Sequence, residues 1–317
     1  MRSGRHSDRL EDPEMSEQSS FIEFKYFNTY NTITAFCPQE LLQEAVLLCG
    51  RFENLLSKTV EGSDVWRINH ACGAGTEISE DTMTILRTAE QVSHASGGAF
   101  NIAIGDAVSL WRFTDGSRML PDPDALAVAV HHADYTKISL SGHTVTVPDG
   151  MKIDLGGIAK GYITDRVADL LRDRGVQSAL LNFGGNVVTV GGKPDGTPWS
   201  VGLQRPFAVT GEDFFAVILS RDSTIVTSAV YERGFNLGGK RYHHILDPRS
   251  GYPVENDVVA VTLFGKDSLL ADALSTACFV LGIRDGSALA TRFRMEFLFI
   301  DRDGKIYRSA SLPLQYL

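Results

Sequence analysis

The sequence predicts an α+β fold, a mixed, largely antiparallel sheet with helices packed against it. Three observations lead there. Helix-period and strand-period segments both occur along the 317 residues, but without the steady strand–helix alternation that builds a doubly wound parallel sheet. After Gly175, strand-like runs follow one another with no helix between them. No internal repeat, low-complexity tract or proline-rich linker divides the chain. One domain over residues 21–317 is therefore expected, with residues 1–20 a disordered leader and Met15 an alternative start.

The elements follow in order. Phe21 to Phe36 is rich in aromatic and β-branched residues and reads as a strand or hairpin. From Pro38, Leu41, Ala45, Leu48, Phe52 and Leu55 recur at helical steps, with the proline near the first turn where it is tolerated. A glycine-dotted stretch around Gly73 and Gly75 precedes a second helix from about Ser79 to Ser96, ended by Gly97-Gly98. A third helix starts near Pro123. Lys137 to Val147 reads as a hairpin turning at Ser141-Gly142. A helix carrying Ile158, Ile163, Val167 and Leu170 or Leu171 comes next, then the runs ALLNF, VVTVGG, WSVGLQ, FFAVILS and STIVTS. A long helix, Ser268 to Leu281, follows VVAVTLF and stops at Gly282; a short helix and a hairpin around Asp303-Gly304 finish the chain.

Composition removes several function classes. The net charge of -9 argues against non-specific nucleic-acid binding, which needs a basic stripe to neutralise phosphates. No run approaches the roughly 20 apolar residues that span a bilayer. The basic residues at the start are not followed by the apolar core of a secretory signal. Cys37, Cys49, Cys72 and Cys278 form no C-x-x-C pair and read as small hydrophobes, so a reducing, cytoplasmic setting is expected.

Four segments carry chemistry. In Asp154-Leu-Gly-Gly-Ile-Ala-Lys-Gly161, paired glycines precede a helix start, whose free N–H groups suit a pyrophosphate. The same glycines would equally serve a tight strand-to-helix turn. Leu181-Asn-Phe-Gly184-Gly185-Asn186 lies between two strands, where a glycine pair is often only a turn. Tyr242 to Pro253 gathers His243, His244, Asp247 and Arg249 beside turn formers. Such groups are costly to bury unless they pair with one another, Asp247 with Arg249 for instance, or with a ligand. In Ala271-Asp272-Ala-Leu-Ser-Thr276, Asp272 and Thr276 are four apart on a helix and share a face. A carboxylate and a hydroxyl there are hard oxygen donors, suited to magnesium or to one another. His94, His131 and His132 read as surface or helix-end residues. Asp301-Arg-Asp303-Gly304 lacks the later glutamate of a calcium loop and reads as a hairpin turn.

These four segments, in this order, resemble the ApbE family of FAD:protein FMN transferases nearly letter for letter. Weaker echoes are Ser63-Asp-Val-Trp-Arg-Ile-Asn69, Gly98-Ala-Phe-Asn101 and Leu110-Trp111, so the likeness runs from about Phe21 to Gly282. The resemblance implies a magnesium-dependent transfer of FMN from FAD to a serine or threonine hydroxyl of a target flavoprotein, with AMP released. It places magnesium on Asp272, Thr276 and the Gly157 carbonyl. FAD would lie on Ala99, Phe100, Asn101, Asp154, Lys160, His244 and Leu246. His244 would activate the acceptor hydroxyl or steady the transferred phosphate, with Asp247 and Arg249 shaping its loop. Three departures touch the flavin side: Thr29-Tyr30-Asn31-Thr32 replaces M-G-T, Asn101 stands where aspartate is usual, and Thr227-Ser228-Ala229 replaces T-S-G. An FAD pyrophosphatase using water and a non-catalytic FAD-binding protein are the rival readings. A nicotinamide dehydrogenase is excluded by the missing dinucleotide fingerprint.

Overall fold

The computed structural model describes residues 19–113, 116–208 and 213–317. Most of the leader expected over residues 1–20 lies outside them, and the first strand already begins at Ser20.

The chain opens with a hairpin, β1 (Ser20–Tyr26) and β2 (Thr29–Ala35), as the aromatic and β-branched run predicts. Helix α1 (Gln39–Leu56) follows Pro38 and buries Leu42, Ala45, Cys49, Phe52 and Leu56, one stripe at three- and four-residue steps. Then come α2 (Asp64–Asn69), β3 (Thr76–Glu77), α3 (Glu80–Ala95), α4 (Gly105–Leu110) and α5 (Pro123–His132). Ser79 caps α3 by accepting from the Thr82 N–H, and Asp122 caps α5 ahead of Pro123. The small hairpin β4 (Ser139–Ser141) and β5 (Thr144–Thr146) pairs Ser141 with Thr144. Its turn is therefore Gly142-His143, one residue beyond the expected Ser141-Gly142.

The second half contains α6 (Ala159–Asp173), β6 (Ala179–Phe183), β7 (Asn186–Val190), β8 (Trp199–Gln204), β9 (Phe214–Ser220) and β10 (Thr224–Ala229). A further hairpin, β11 (Gly234–Leu237) and β12 (Lys240–His243), was not expected from the sequence. Strand β13 (Val258–Gly265), helix α7 (Ser268–Arg292), β14 (Glu296–Asp301), β15 (Ile306–Arg308) and β16 (Leu314–Tyr316) complete the chain. Gly282 leaves helical geometry inside α7 at φ 78°. The predicted stop at Gly282 is thus a break between two helical segments, as a left-handed glycine makes it.

Among the described residues, eight strands form the main sheet in the order β1-β2-β6-β7-β10-β13-β14-β15, each neighbouring pair antiparallel. An isolated bridge between Ile104 and Lys152 is parallel. The largely antiparallel α+β expectation is borne out. Helices α6 and α7 lie together against the middle of this sheet, with α1 against α6 and α3 against α7. Fully buried Phe183, Ile33, Ile158, Ile163, Phe279 and Phe299 fill the space between. Among the described residues, no helix is long and apolar enough to cross a membrane.

Candidate active site

The seam between α6 and α7 is closer than ordinary side chains permit. A Cβ on Gly161 would stand 2.1 Å from the Ser268 carbonyl oxygen and 2.8 Å from Asp272 Cβ. Glycine lets the Gly161 N–H reach Asp272 Oδ2 at 2.9 Å. The other carboxylate oxygen of Asp272 lies 3.5 Å from Lys160 Nζ. One turn along α7, Thr276 Oγ1 lies 3.4 Å from where a Cβ of Gly157 would stand, and the Phe100 ring edge is equally near that point. Tertiary packing thus brings Gly157, Lys160, Asp272 and Thr276 together, although more than a hundred residues separate the two motifs. The Thr276 hydroxyl carries no hydrogen bond among the described residues, which leaves it available as a donor oxygen. A carboxylate, a hydroxyl and a main-chain carbonyl fit magnesium, which prefers oxygen and keeps sites for water and substrate phosphates. Among the described residues no group of three or more His, Cys, Asp or Glu side chains is assembled for a metal. A cation here would rest on one carboxylate and neutral oxygens.

Asp154 is held rather than free. Its Oδ2 lies 2.7 Å from Lys58 Nζ and its Oδ1 accepts the Gly156 N–H at 2.8 Å. Just before it, both ends of the Asn69 amide clamp the Ile153 main chain, at 3.0 and 2.8 Å. The Ser63–Asn69 echo therefore has a structural meaning, because it fixes the approach to the Asp154 turn. Lys58 was not found from the sequence, since it follows α1 in a polar stretch with no motif around it.

Ala99, Phe100 and Asn101 are all buried against this turn. Phe100 meets Gly157. The Asn101 side chain is spent on its own surroundings, its amide donating to the Ala133 carbonyl at 2.8 Å while its carbonyl accepts the Ala103 N–H at 2.8 Å. An aspartate could not make the first of these bonds, which gives the departure at this position a local reason. Asn101 shapes the segment, and its side chain is not left to reach a ligand.

The opposite wall is the loop leaving β12. The His244 imidazole Nδ1 and main-chain N–H both face the Arg233 carbonyl, each at 3.3 Å. Burial, the neighbouring Arg233, His243 and Lys160 push its pKa down to about 3, only partly offset by the bond to the Arg233 carbonyl. His244 is therefore neutral at pH 7, with Nδ1–H donating and the Nε2 lone pair left to accept. His243 is buried, its Nε2 bonded to the Val254 carbonyl, and burial lowers its pKa to about 4. Asp247 grips Arg249 through a two-pronged bond at 3.0 Å on each arm, and its main-chain carbonyl accepts the Gly251 N–H at 2.8 Å. The internally paired corner is thus the correct reading of these two residues. Trp111 Nε1 donates to the Gly251 carbonyl at 2.8 Å, so the Leu110-Trp111 echo braces this loop. Leu246 packs with Trp111 and Phe235, so its side chain belongs to that cluster rather than to an open ligand surface.

Another residue of this wall was not found from sequence. Glu232 is solvent-reached and sits between Tyr231 and Arg233. Its Oε1 is 3.5 Å from the Cβ position of Gly185, which ties it to the Gly184-Gly185 turn. Neighbouring protein pushes the carboxyl up, Lys160 and Arg233 pull the other way and Asp272 adds to the rise, but the exposed side chain lets solvent damp that shift.

An antiparallel sheet backed by a glycine-locked helix pair, with hard oxygens and a lysine at a helix start, defines a protein built to handle a phosphate-bearing ligand. The chain belongs to the ApbE family, which it matches over residues 27–299. It is 37% identical over 283 residues to an FAD:protein FMN transferase of Klebsiella pneumoniae (strain 342), a match covering 88% of this chain and 87% of that protein. It is 36% identical over 289 residues to the FAD:protein FMN transferase of Treponema pallidum (strain Nichols), covering 86% and 80%. Among solved structures, the ApbE protein of Thermotoga maritima superposes with a TM-score of 0.84 at 31% identity, covering 93% of this chain and 98% of that one. The apo flavinyl transferase ApbE of Pseudomonas stutzeri gives 0.80 at 29%, covering 92% and 94%.

Proposed function

We propose that this chain is a magnesium-dependent FAD:protein FMN transferase, which joins FMN to a serine or threonine hydroxyl of a target flavoprotein and releases AMP. The observation that carries this reading is the meeting of Gly157, Lys160, Asp272 and Thr276 at the start of α6. There the FAD pyrophosphate meets a lysine and a set of hard oxygens at the positive end of α6, although the Ala159 and Gly161 N–H groups of its first turn are already bonded to the Leu155 carbonyl and Asp272. Asp272, Thr276 and the Gly157 carbonyl would hold magnesium, which when bound neutralises charge on the phosphates. Lys160 pairs with the pyrophosphate as FAD enters. Asp154, fixed by Lys58 and Asn69, sets the glycine turn, and Phe100 and Asn101 form the wall behind it. His244 accepts a hydrogen bond from the incoming hydroxyl through Nε2 or steadies the transferred phosphate. Positioning supplies most of the rate in such a phosphoryl transfer.

The resemblance to the ApbE family suggests as acceptors flavin-carrying subunits of membrane redox pumps or a soluble flavin reductase, modified at a threonine or serine in a short exposed motif. All four cysteines are free thiols, which supports a reducing, cytoplasmic setting.

Release of AMP from FAD with magnesium, with and without an acceptor protein, tests the proposal. Acceptor-dependent release that leaves covalent FMN on the acceptor is the expected result. In Asp272→Ala it should fall by about 10²–10³-fold, the usual cost of removing one electrostatic contact to the reacting group. Release that ignores the acceptor would make the protein an FAD pyrophosphatase, and no release with a competent acceptor would leave an FAD-binding protein.

A further inference from the structure

We infer that Lys160 is an exchangeable counter-ion, paired with Asp272 before magnesium binds and with the FAD pyrophosphate afterwards, so that metal and FAD each strengthen the binding of the other. The inference rests on the transferase reading above, which puts both ligands at the start of α6, and adds how the two are coupled.

Asp272 has two oxygens to offer. Oδ2 accepts the Gly161 N–H at 2.9 Å, a bond set by helices too close for any Cβ on Gly161. Oδ1 has no main-chain partner, and it faces Lys160 Nζ at 3.5 Å. The oxygen open to a metal is therefore the one that the lysine holds. The Asp272 side chain is only 5% exposed, and a buried carboxylate stripped of its cation is strongly penalised. Lys160 therefore stays until another cation arrives.

The lysine is held loosely enough to leave. Lys58 grips Asp154 at 2.7 Å, the length of a strong charge-assisted bond, whereas Lys160 stands at 3.5 Å from Asp272, beyond that range. Among the described residues Asp272 is the sole ion-pair partner of Lys160 Nζ. A second place for its charge lies on the same residue. The Lys160 N–H, unlike those of Ala159 and Gly161, carries no hydrogen bond among the described residues. A phosphate drawn to this N–H at the positive end of α6 comes within reach of the Lys160 ammonium. With a cation on Oδ1, like charge repels the ammonium from Asp272, and the pyrophosphate attracts it. The carboxylate stays on Gly161 while the lysine moves, so the seam remains closed. Metal and FAD thus favour the same lysine position, and ligands that favour one state strengthen each other by equal factors.

The test uses Mn²⁺, followed by the EPR signal of the free ion, on wild type, Lys160→Met and Lys160→Gln. Each is titrated without FAD and with saturating FAD, in the absence of acceptor, and thermal melts check that each is folded. Without FAD, Lys160→Met should bind Mn²⁺ about 5–150-fold more tightly than wild type, the usual span of coupling between sites. With FAD bound the two should agree within about 3-fold, because the wild-type lysine has then left Asp272. Lys160→Gln, also neutral, should follow Lys160→Met. In wild type, Mn²⁺ should raise FAD affinity, read by flavin fluorescence, by the factor with which FAD raises Mn²⁺ affinity. A lysine that acted only as a nearby positive charge would shift Mn²⁺ affinity by one factor in both states. That result, or no shift in either state, overturns the inference. FMN transfer to an acceptor domain is scored separately. AMP release without acceptor, together with the split effect of Lys160→Met, supports the inference while the transferase reading fails. Absence of Mn²⁺ binding in all three proteins overturns the inference, even where acceptor-dependent transfer upholds the transferase reading.

Discussion

The two walls of the cleft are built on opposite terms. The α6–α7 seam is closed: Gly161 admits Asp272 with no room for a methyl, and Asp272, Lys160 and Gly161 satisfy one another. The β10–β12 wall is open: among the described residues Glu232 has no hydrogen-bond or ion-pair partner, and His244 hangs on one carbonyl with Nε2 unused. On the proposed reading, the closed wall has the rigidity that positioning a pyrophosphate requires, and the open wall keeps unspent groups for the chemistry and for a second protein. Breaking the closed wall should therefore cost both stability and turnover, whereas loosening the open wall should cost turnover with little stability.

Gly161→Ala is the sharpest way to break the closed wall. The added methyl would press on main chain, the Ser268 carbonyl at 2.1 Å, which cannot swing away as a long side chain would. The helices must part, at about 3 kcal/mol for overpacking of this kind. A fall in thermal midpoint together with loss of magnesium-dependent AMP release is expected. Normal stability and normal turnover would mean that the seam is not rigid.

Trp111→Phe probes the open wall. It keeps an aromatic ring in the cluster with Phe235 and Leu246 but removes the bond to the Gly251 carbonyl. The expected loss is about 1 kcal/mol of loop stability. Transfer should slow several-fold while FAD affinity, which the proposed reading sets at the seam, stays put. A matching loss of FAD affinity would show that the two walls are coupled rather than separate.

The same contrast explains what the sequence revealed. The closed wall demands particular residue types at fixed spacing: glycines where helices touch, and Asp272 and Thr276 one turn apart. Those demands are written locally and could be read. Lys58 reaches Asp154 from 96 residues away, and the surroundings of Glu232, neighbouring protein first and then Lys160 and Asp272, come from other elements, so neither leaves a local signature. Helices α2 and α4 span six residues each, too few to display a helical period. The β11–β12 hairpin had one usable signal, Gly238-Gly239, both at positive φ. A glycine pair of that kind fits a two-residue turn, but the flanking strands lack apolar alternation. At the β4–β5 turn, Gly142 could occupy either central position, so sequence alone left the register one residue adrift.

The smallest effect is expected at Arg249, where a family motif residue and a surface residue coincide. Its side chain is 80% exposed while gripping Asp247, and exposed pairs contribute about 0–1 kcal/mol. Asp247 keeps its main-chain bonds to Gly251 and Ser250 without it, so Arg249→Gln should leave the corner folded. Its effect should carry a particular pH signature. Burial would raise the Asp247 carboxyl, but the Arg249 bonds hold it below the usual carboxylate range. Stability from a depressed carboxyl is present above its unfolded value of about 4 and is lost as pH falls through the folded value. Thermal melts of wild type and Arg249→Gln should thus differ slightly at pH 7 in low salt, and converge both in acid below the folded value and at high salt. Transfer rates should stay within about 2-fold, as for a screened surface pair. A tenfold loss of transfer with unchanged melting would mean that Arg249 touches FAD or the acceptor, and that the open wall extends to the tip of its own loop.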